Sequence, residues 1–520
     1  MKSTTHQAIE ERRLSEQVRL DRLKSAAERN QWGQFATPAE LAGSIARHVL
    51  RLAGLRSIRF LDPAIGTGSF YSALRREVSP AKIASAVGVE LDPLFSSAAE
   101  ELWGREGLSV VAGDFTRQSP PKEGFNLILT NPPYVRHHHL TAPDKDRLRA
   151  RVGQDLGLHV NGLAGFYCYF LLLSDAWMVD GGLAAWLIPS EFMDVNYGAV
   201  LRDYLTDRVT LLQIHRFCPT DVQFSDALVS SAVVIFRKAP VPDGHTVRFS
   251  FGGPIEDPHE EASVPLDVVR RSRKWTQFPG RNTVEGSDEP TLGDLFSIKR
   301  GLATGSNDFF LVTEEAIAEW KIPRQFVKPI LPGPRHLIAD IIAALPNGAP
   351  DVLPRLYLID CSEPEERIKT TWPRFHEYLE QGRGRRIHEA YLASRRTPWY
   401  SQERRPPAPF LCTYMGRTRD GKHPFRFIWN RSQATAHNVY LMLYPKPRLE
   451  AALRRNPAIA REVFASLQQI TTAELISEGR VYGGGLHKVE PSELAHAPAR
   501  TLLKCLVGHV RLEKQLPMFG

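Results

Sequence analysis

Cysteine is scarce in this sequence, and no two cysteines lie at the close spacing typical of metal sites. The 520 residues contain five of them: Cys168, Cys218, Cys361, Cys412 and Cys505. An odd number of scattered cysteines, with no Cys-x-x-Cys pair, indicates neither a disulfide framework nor a structural zinc site. We therefore expect a reducing, intracellular environment and no bound metal.

Long hydrophobic runs are also absent. The most apolar stretch, Phe166–Leu173, is far shorter than the roughly 20 residues that a transmembrane helix needs. The N-terminus is charged from its beginning and has no apolar segment typical of a signal peptide. Internal repeats and low-complexity tracts are absent as well. These features predict a globular, cytoplasmic protein without a membrane partner.

The sequence does have a large apolar fraction and an excess of positive charge. Hydrophobic residues make up 42% and charged residues 24%, so a large core can form and global disorder is not indicated. The length allows two or more domains. The net charge of +8 suits a polyanionic partner, although a small excess on a long chain does not identify one.

The first two regions of the sequence differ in pattern. Residues 1–34 are charged and amphipathic, which predicts a helical arm for docking or oligomerisation. In residues 35–285, short apolar runs alternate with helical patterns such as Leu41–Leu52 and Phe166–Val179. The predicted strands are Ile58–Leu61, Ala86–Val89, Ser109–Val111, Leu127–Leu129, Leu183–Leu187, Leu211–Ile214 and Val229–Phe236. This alternation predicts a mostly parallel, doubly wound α/β sheet that binds ligands beyond the carboxyl ends of its strands.

The pattern changes again towards the C-terminal half. Residues 239–290 are polar and rich in proline, glycine and acidic residues, which predicts an irregular extension and a linker. In residues 286–520, basic and aromatic residues interleave and the alternation of helices and strands is lost. We expect a second domain of mixed α/β type there.

A glycine-rich turn follows the first predicted strand. The segment Phe60–Phe70 contains Gly66 and Gly68, which let the backbone approach a ligand closely because neither carries a Cβ. The turn differs from Gly-x-Gly-x-x-Gly and lacks the lysine of a phosphate-binding loop. By itself it is weak evidence, since a tight connection between a strand and a helix has the same composition.

Two acidic residues end the next two predicted strands. Glu90 ends the second strand, where a carboxylate can accept both hydroxyls of a ribose. Asp114 ends the third, where it can accept from an adenine amino group while Phe115 stacks on the ring. A single acid at a strand end is common on protein surfaces. Three such features at successive strand ends predict a pocket for an adenosine-containing cofactor.

The tetrapeptide Asn131-Pro132-Pro133-Tyr134 ends the fourth predicted strand. Its prolines make the turn rigid and remove two N–H donors, so the loop offers mainly carbonyl acceptors. The N6 amine of adenine is a poor nucleophile because its lone pair is delocalised into the ring. The Asn131 side-chain oxygen and the Pro132 carbonyl can accept its two N–H bonds, which aims the lone pair at a sulfonium methyl, while Tyr134 stacks on the flipped base. The alternative is a proline-rich turn with a core tyrosine.

Together these segments resemble the γ-class adenine-N6 DNA methyltransferases, the TaqI-like group, over about residues 35–238. The resemblance implies a Rossmann-like class I methyltransferase domain, S-adenosylmethionine as the cofactor, and a C-terminal target recognition domain. The residues that match the cofactor motifs are Thr37, Pro38, Asp62, Pro63, Ala64, Gly66, Gly68, Glu90, Asp114, Phe115 and Pro133. The residues that match the catalytic motif are Asn131, Pro132, Pro133 and Tyr134. Phe224 resembles the aromatic residue that packs against the flipped adenine, in a loop one residue longer than the family pattern.

The resemblance also implies a biological setting and partners. It suggests a bacterial, nucleoid-associated enzyme that methylates N6 of adenine at specific sites in double-stranded DNA, as the modification enzyme of a restriction-modification or related defence system. The arm at residues 1–34 is too short for a fused nuclease, so a separate restriction endonuclease stays open as a partner. The C-terminal Gln515–Phe519 resembles the peptide by which bacterial DNA enzymes dock on the sliding clamp, with a frayed tail as the alternative.

Several arginines are candidates for contacts with DNA. Arg136 precedes the triplet His137–His139, whose adjacent side chains do not easily converge on a metal, so we favour a mobile loop in which Arg136 can contact phosphate. The candidates in the second region are Arg385, Arg386, Arg395, Arg404 and Arg417, which interleave with Trp399, Tyr400, Tyr414 and Trp429. Arginine suits phosphates and guanine edges. The alternative for any one pair is a solvated surface.

Other functions share parts of this pattern. Protein-glutamine methyltransferases and guanine-N2 RNA methyltransferases use the same tetrapeptide or close variants, but they usually carry an extra domain ahead of the cofactor motifs. A cytosine-N4 enzyme more often has serine at the position of Asn131. A DNA-binding module that keeps an inactive methyltransferase fold is the alternative outside the enzymes. Methyl transfer with double-stranded DNA as the sole acceptor separates the protein enzymes, the RNA enzymes and the inactive module from the favoured prediction.

Overall fold

The computed structural model of the protein describes residues 2–218, 230–280, 290–417, 423–482, 486–499 and 501–502. The chain forms two compact units, of which the first spans residues 1–286 and 482–484 and the second spans residues 287–481 and 485–520. Two segments that the sequence singles out, Phe224 and Gln515–Phe519, lie outside the described residues.

A sheet that has nine strands among the described residues forms the centre of the first unit. The strands are β1 (Ile58–Asp62), β2 (Ile83–Glu90), β3 (Ser109–Ala112), β4 (Phe125–Thr130), β5 (Met178–Pro189), β6 (Thr210–Arg216), β7 (Ser231–Arg237), β8 (Thr246–Phe251) and β9 (Glu260–Pro265). Their order is β3-β2-β1-β4-β5-β7-β6-β8-β9. Strands β7 and β9 run antiparallel to the others. The predicted, mostly parallel α/β sheet is confirmed.

Helices cover both faces of this sheet, which explains why its central strands are almost continuously apolar. The helices are α1 (Lys2–Asp21), α2 (Ala26–Trp32), α3 (Ala39–Ala53), α4 (Ser69–Glu77), α5 (Pro93–Trp103), α6 (Ala142–Leu156), α7 (Phe166–Leu173), α8 (Ala199–Asp207) and α9 (Leu266–Arg271). On β4, Leu127 and Leu129 pack towards α3, α4 and α5, whereas Ile128 packs towards α6, α7 and α8. The side-chain alternation of a strand therefore builds two separate cores.

Two parts of the first unit differ from the sequence-based prediction. Residues 239–280 are not an irregular extension, because β8 pairs with β6, β9 pairs with β8, and α9 follows. Strand β9 lies at the sheet edge and buries only Val264, so it lacks the apolar pattern of a central strand. The predicted helix over Phe166–Val179 ends at Leu173, and β5 already begins at Met178.

The N-terminal residues belong to the first unit. The sequence predicts a docking arm at residues 1–34, whereas α1 and α2 lie within the same compact unit as the sheet. Helix α1 packs against α4 and α5, and Leu20 joins Phe95 and Ala98 in a small core of their own. This position brings α1 close to the connections that follow β1 and β2.

The second unit has the mixed α/β composition expected from its sequence. Its strands are β10 (Phe296–Arg300), β11 (Leu311–Val312), β12 (Val327–Leu331), β13 (Ile341–Ile342), β14 (Leu356–Ile359), β15 (Phe410–Thr413), β16 (Met415–Arg417), β17 (Phe427–Asn430), β18 (Thr435–Ala436), β19 (Tyr440–Pro445), β20 (Arg480–Tyr482) and β21 (Leu486–Lys488). Its helices are α10 (Leu292–Leu295), α11 (Asn307–Phe310), α12 (Glu314–Glu319), α13 (Glu365–Thr371), α14 (Pro373–Gly384), α15 (Pro447–Arg455), α16 (Ile459–Gln468), α17 (Thr472–Glu478) and α18 (Pro491–Leu494).

Two small sheets organise the second unit. One has the strand order β10-β19-β15-β17-β13 and the other has the order β11-β14-β12-β18. Strand β16 pairs with β21. Among the described residues of the whole chain, no helix has the length and apolar character needed to cross a bilayer.

Candidate active site

A cavity of about 430 Å³ opens at the carboxyl ends of β1, β2 and β4 in the first unit. The strand order reverses between β1 and β4, and such switch points are where open α/β sheets bind ligands. The volume lies in the usual range for small-molecule sites, roughly 300–1,000 Å³. Residues singled out from the sequence that line the cavity are Thr37, Asp62, Pro63, Ala64, Gly66, Glu90, Asp114, Phe115, Asn131 and Pro133.

The glycine-rich turn forms the floor of the cavity between β1 and α4. Gly66 has φ +55 and Gly68 has φ +91, both in the left-handed region that favours glycine. A Cβ on Gly68 would lie 2.5 Å from the indole nitrogen of Trp103, which donates to the Thr67 carbonyl at 2.9 Å. A Cβ on Gly66 would meet no atom within 4 Å, so it would enter open space. The backbone at Gly66 is therefore open to a ligand.

Glu90 links the end of β2 to this turn. One carboxylate oxygen accepts the Gly66 N–H at 2.9 Å, and the other accepts the Asp92 N–H at 2.9 Å. Burial raises the pKa of Glu90, although these two N–H bonds oppose the shift. Each oxygen keeps a second lone pair, so the carboxylate can still accept ribose hydroxyls.

Asp114 and Phe115 follow β3 and begin a short 3-10 helix, Phe115–Arg117. Asp114 accepts from the Thr116 N–H at 2.8 Å and the Thr116 hydroxyl at 2.7 Å, and it pairs with Arg117 and Arg147. The Phe115 ring packs 5.3 Å from the ring of Phe170, measured between centroids. The Asp114 carboxylate that the sequence assigns to adenine is thus already partly engaged.

Asn131 lies just after β4 with its side-chain amide held in one orientation. The Nδ2 group donates to the Phe35 carbonyl at 3.0 Å and to the Thr37 hydroxyl at 3.1 Å. The Oδ1 atom is buried and has no hydrogen-bond partner. Because the amide nitrogen is fully used, the oxygen is left as the free acceptor at the cavity wall.

Tyr134 is more enclosed than the sequence indicates. Its side chain is 6% exposed, its hydroxyl donates to the Leu187 carbonyl at 3.0 Å, and its ring centroid lies 5.7 Å from that of Phe35. Its N–H donates to the Gly33 carbonyl at 3.1 Å. Pro132 is buried, whereas Pro38 is exposed and precedes α3. Phe224 was predicted as the second aromatic residue here and lies outside the described residues.

The cavity wall also contains residues that the sequence-based prediction missed. They include Gln17, Asp21, Lys24, Phe35, Phe95, Phe166 and Phe170. In the sequence, the aromatic residues cannot be distinguished from ordinary core residues, so no sequence pattern would have identified them as cavity residues. Gln17 and Asp21 share one face of α1, and this spacing predicts a buried side of the helix without identifying what that side contacts.

Asp62 is the most perturbed acid at the cavity. It accepts from the Thr130 hydroxyl at 2.7 Å and from the Ala64 N–H at 3.1 Å. Burial raises the pKa of its carboxyl to about 7, and the negative charge of Glu90 adds to the increase. A ligand with positive charge would favour the ionised carboxylate.

The donor set of this cavity fits S-adenosylmethionine. Aromatic rings and the open backbone at Gly66 suit an adenosine group. The carboxylates Asp62 and Glu90 suit ribose hydroxyls and the cationic sulfonium and ammonium groups.

We expect the affinity for S-adenosylmethionine to rise with pH from about pH 6 to about pH 7.5, by up to about tenfold per pH unit. The free protein holds Asp62 largely protonated below its pKa of about 7, and a bound cation favours the ionised form, so binding releases a proton. Calorimetric titrations across this range measure the slope. Asp62→Asn should make the affinity less dependent on pH. An unchanged slope in that variant would contradict the assignment of the pH dependence to the Asp62 carboxyl.

The candidate DNA-binding arginines are exposed. Arg136 precedes the 3-10 helix His137–His139 in the first unit. In the second unit, Arg386 pairs with Glu389 at 2.6 Å, and the Arg395 guanidinium lies 3.7 Å from the ring centroid of Tyr391. Arg385, Arg404 and Arg417 are exposed as well.

The aromatic residues interleaved with these arginines are mostly core residues. Tyr400 and Tyr414 are buried, and Trp399 and Trp429 are half-buried. Tyr391, which the sequence-based prediction did not single out, is 70% exposed. Residues that are neighbours in the chain alternate between the surface and the core. Arginines and aromatic residues that interleave in the sequence therefore do not form one common surface.

One group of possible metal ligands occurs among the described residues of the second unit. It consists of Glu365, His376 and Glu380. Arg383 pairs with both carboxylates of this group. A guanidinium in that position satisfies the acids without a metal ion.

Two family models match the chain. The model for the Eco57I restriction-modification methylase matches residues 97–223. The model for the C-terminal domain of the type II methyltransferase M.Eco57I matches residues 281–508. The first match contains the Asn131–Tyr134 segment, and the second contains the described part of the second unit.

Curated relatives match most of the chain. The type II methyltransferase M.XamI of Xanthomonas campestris pv. amaranthicola is 28% identical over 84% of this chain and 79% of its own length. The type II methyltransferase M.AccI of Acinetobacter calcoaceticus is 24% identical over 90% of this chain and 85% of its own length. Both matches extend across the first and second units.

A solved structure of similar fold is the type IIL restriction-modification enzyme MmeI in complex with DNA. The match has a TM-score of 0.53 and 12% identity, and it covers 91% of this chain and 73% of that chain. At this identity the likeness concerns the fold alone. The strand order gives the first unit a Rossmann-like, mostly parallel α/β fold, and the second unit is of mixed α/β type.

Proposed function

We propose that this chain, whose family models and relatives support a DNA methyltransferase, transfers a methyl group from S-adenosylmethionine to N6 of adenine in double-stranded DNA. The adenine is flipped out of the duplex, and the second unit selects the site. The enzyme acts as the modification component of a bacterial restriction-modification or related defence system. A separate endonuclease is its proposed partner.

The observation that carries this proposal is the orientation of the Asn131 amide. Both donors of its Nδ2 group are engaged by Phe35 and Thr37, and its Oδ1 atom is buried without a partner. A buried acceptor left unsatisfied costs free energy, about 1–3 kcal/mol, and a ligand that donates to it removes that cost. An amino group with an N–H to donate is the complementary ligand.

The chemistry follows from this acceptor. S-adenosylmethionine, when bound, supplies an electrophilic methyl group on a sulfonium. Asn131 Oδ1 accepts one N–H of the adenine amine and the Pro132 carbonyl accepts the other, which concentrates the lone pair on nitrogen and directs it at the methyl carbon. The proton leaves after transfer, so a strong base is not needed.

Tyr134 and Phe224 are proposed to hold the flipped base between them. Tyr134 has little free ring surface, since it is 6% exposed and packs beside Phe35. Stacking therefore requires that the Tyr134 ring is uncovered when DNA binds. Unstacking and flipping a base costs a few kcal/mol, and contacts of this kind offset the cost.

The DNA surface of the proposal uses the exposed arginines. Arg136 contacts phosphate beside the catalytic cavity, and Arg385, Arg386, Arg395, Arg404 and Arg417 contact DNA from the second unit. Most of these contacts position the duplex on its phosphates, and few read base edges. Exposed Tyr391 beneath Arg395 extends this set.

Labelled methyl transfer to different acceptors tests the proposed function. The purified chain with tritiated S-adenosylmethionine should methylate double-stranded bacterial DNA and leave transfer RNA and release factors unlabelled. An Asn131→Ala preparation run in parallel corrects for contaminating enzymes. Labelling of RNA or protein in preference to DNA would contradict the proposal, and cofactor binding without any transfer would favour an inactive binding module.

A further inference from the structure

Helix α1 is fastened to the glycine-rich turn by a buried arginine. Arg13 is 1% exposed, and it donates to the Ser69 hydroxyl at 2.8 Å and to the Thr67 hydroxyl at 3.2 Å. Its remaining donors meet the Glu10 carboxylate at 2.6 and 2.8 Å. Glu10 in turn accepts from the Ser72 hydroxyl at 2.6 Å. A buried guanidinium is tolerated only when it is paired and hydrogen-bonded in this way, so α1 and the turn are held in one geometry.

The next turns of α1 bring polar side chains to the cavity. Gln17 and Asp21 lie on one face of α1, Lys24 follows the end of the helix, and all three line the cavity. Gln17 accepts from the Thr67 hydroxyl at 2.7 Å and donates to Asp21 at 2.9 Å. Leu20 lies between them in sequence and packs on Phe95, which anchors the helix to α5.

The segment just after α1 is joined to the far side of the cavity. Lys24 forms an ion pair with Asp92 and donates to the Gln34 side chain at 2.8 Å. Asp92 follows Glu90 and caps α5 by accepting from the Leu94 N–H at 3.0 Å. Lys24 thus joins the α1 side of the cavity to the end of β2. The side chains of this pair are 25% and 13% exposed, so the charges are only partly screened by solvent.

We propose that α1 and the residues that follow it as far as Lys24 form a clasp that closes the cofactor cavity. Gln17, Asp21 and Lys24 form the outer wall that contacts the cofactor, and Arg13 is a positioning residue that holds the glycine-rich turn. The Lys24–Asp92 pair opens when the cofactor enters and leaves. This inference relies on the proposed function for the identity of the cofactor, but the clasp itself follows from the contacts of α1.

The clasp is tested by cofactor exchange in the full-length chain without DNA. Lys24→Met keeps the aliphatic stem and removes the charge, so the dissociation rate of S-adenosylmethionine should rise by about fivefold or more, with an unchanged melting temperature. Arg19→Met is the matched control, because Arg19 is an exposed cation on α1, near Lys24 in the chain, that pairs with Glu16. Stopped-flow displacement measures the rate, and equal rates in Lys24→Met and the unsubstituted chain would overturn the clasp.

Arg13 supplies a second, independent test. Arg13→Met should lower the equilibrium affinity for S-adenosylmethionine at least about tenfold, and Arg13→Lys should restore part of it because one buried donor returns. If Arg13→Met fails to fold, the dissociation rate measured for Lys24→Met still tests the clasp. If the unsubstituted chain binds no S-adenosylmethionine, the proposed function fails. If it binds while both substitutions have no effect, only the clasp fails.

Discussion

Replacing Asn131 with alanine should slow methyl transfer to duplex DNA by roughly a thousandfold, with the dissociation constant for S-adenosylmethionine changed by less than about threefold. In comparable sites, the loss of one well-placed polar group at the reacting centre slows the reaction by a factor of about 10²–10³. Here the lost group is the Oδ1 acceptor that meets the amine, and alanine also leaves the rigid Pro132-Pro133 turn intact. Single-turnover transfer and calorimetric binding measure the two quantities separately.

A matched asparagine makes this experiment interpretable. Asn161 is an exposed residue whose side chain accepts from the Leu163 N–H at 2.9 Å in a loop of the same unit. Asn161→Ala should therefore retain the full transfer rate. Equal activity of Asn131→Ala and Asn161→Ala would show that the tetrapeptide does not carry the chemistry.

Gly66→Ala should weaken S-adenosylmethionine binding at least about tenfold, because the added methyl group enters open space that the cofactor is expected to fill. The substitution also introduces backbone strain, since Gly66 has φ +55. An alanine in the left-handed region costs roughly 1–2 kcal/mol. Binding alone would therefore not separate a blocked site from a less stable fold.

Gly54 resolves this ambiguity. It ends α3 with φ +58, and a Cβ there would also meet no atom within 4 Å, but it lies on the surface away from the cavity residues. Gly54→Ala and Gly66→Ala should lower the melting temperature similarly, whereas only Gly66→Ala should lose cofactor affinity. Similar affinity in both variants would contradict the placement of the cofactor on this turn.

The sheet of the first unit was predictable because its central strands are buried on both faces. Strands such as β4 are continuous apolar runs, and their ends carry the glycine turn, Glu90, Asp114 and Asn131 in chain order. Parallel strands bring those ends to one edge, so the site follows from the strand pattern. Strand β9 escaped prediction because an edge strand buries few side chains, and Val264 alone leaves no pattern.

The contacts between distant segments were not predictable. Amphipathic spacing in α1 indicates a buried face but not its partner, and a charged residue such as Arg13 is ordinarily expected at the surface. Its burial depends on hydroxyls more than 50 residues away in the chain, at Thr67 and Ser69. The amide orientation of Asn131 likewise depends on the Phe35 carbonyl, a backbone group with no residue signature.

The identity of the methylated nucleoside tests the central claim most directly. Genomic DNA from bacteria that express the chain, and from bacteria that express Asn131→Ala, is hydrolysed and analysed by liquid chromatography with mass spectrometry. The host should lack its own adenine methyltransferases. N6-methyldeoxyadenosine that appears with the unsubstituted chain and not with the variant is the predicted result. N4-methyldeoxycytidine, or no methylated nucleoside from a chain that binds S-adenosylmethionine, would contradict the account.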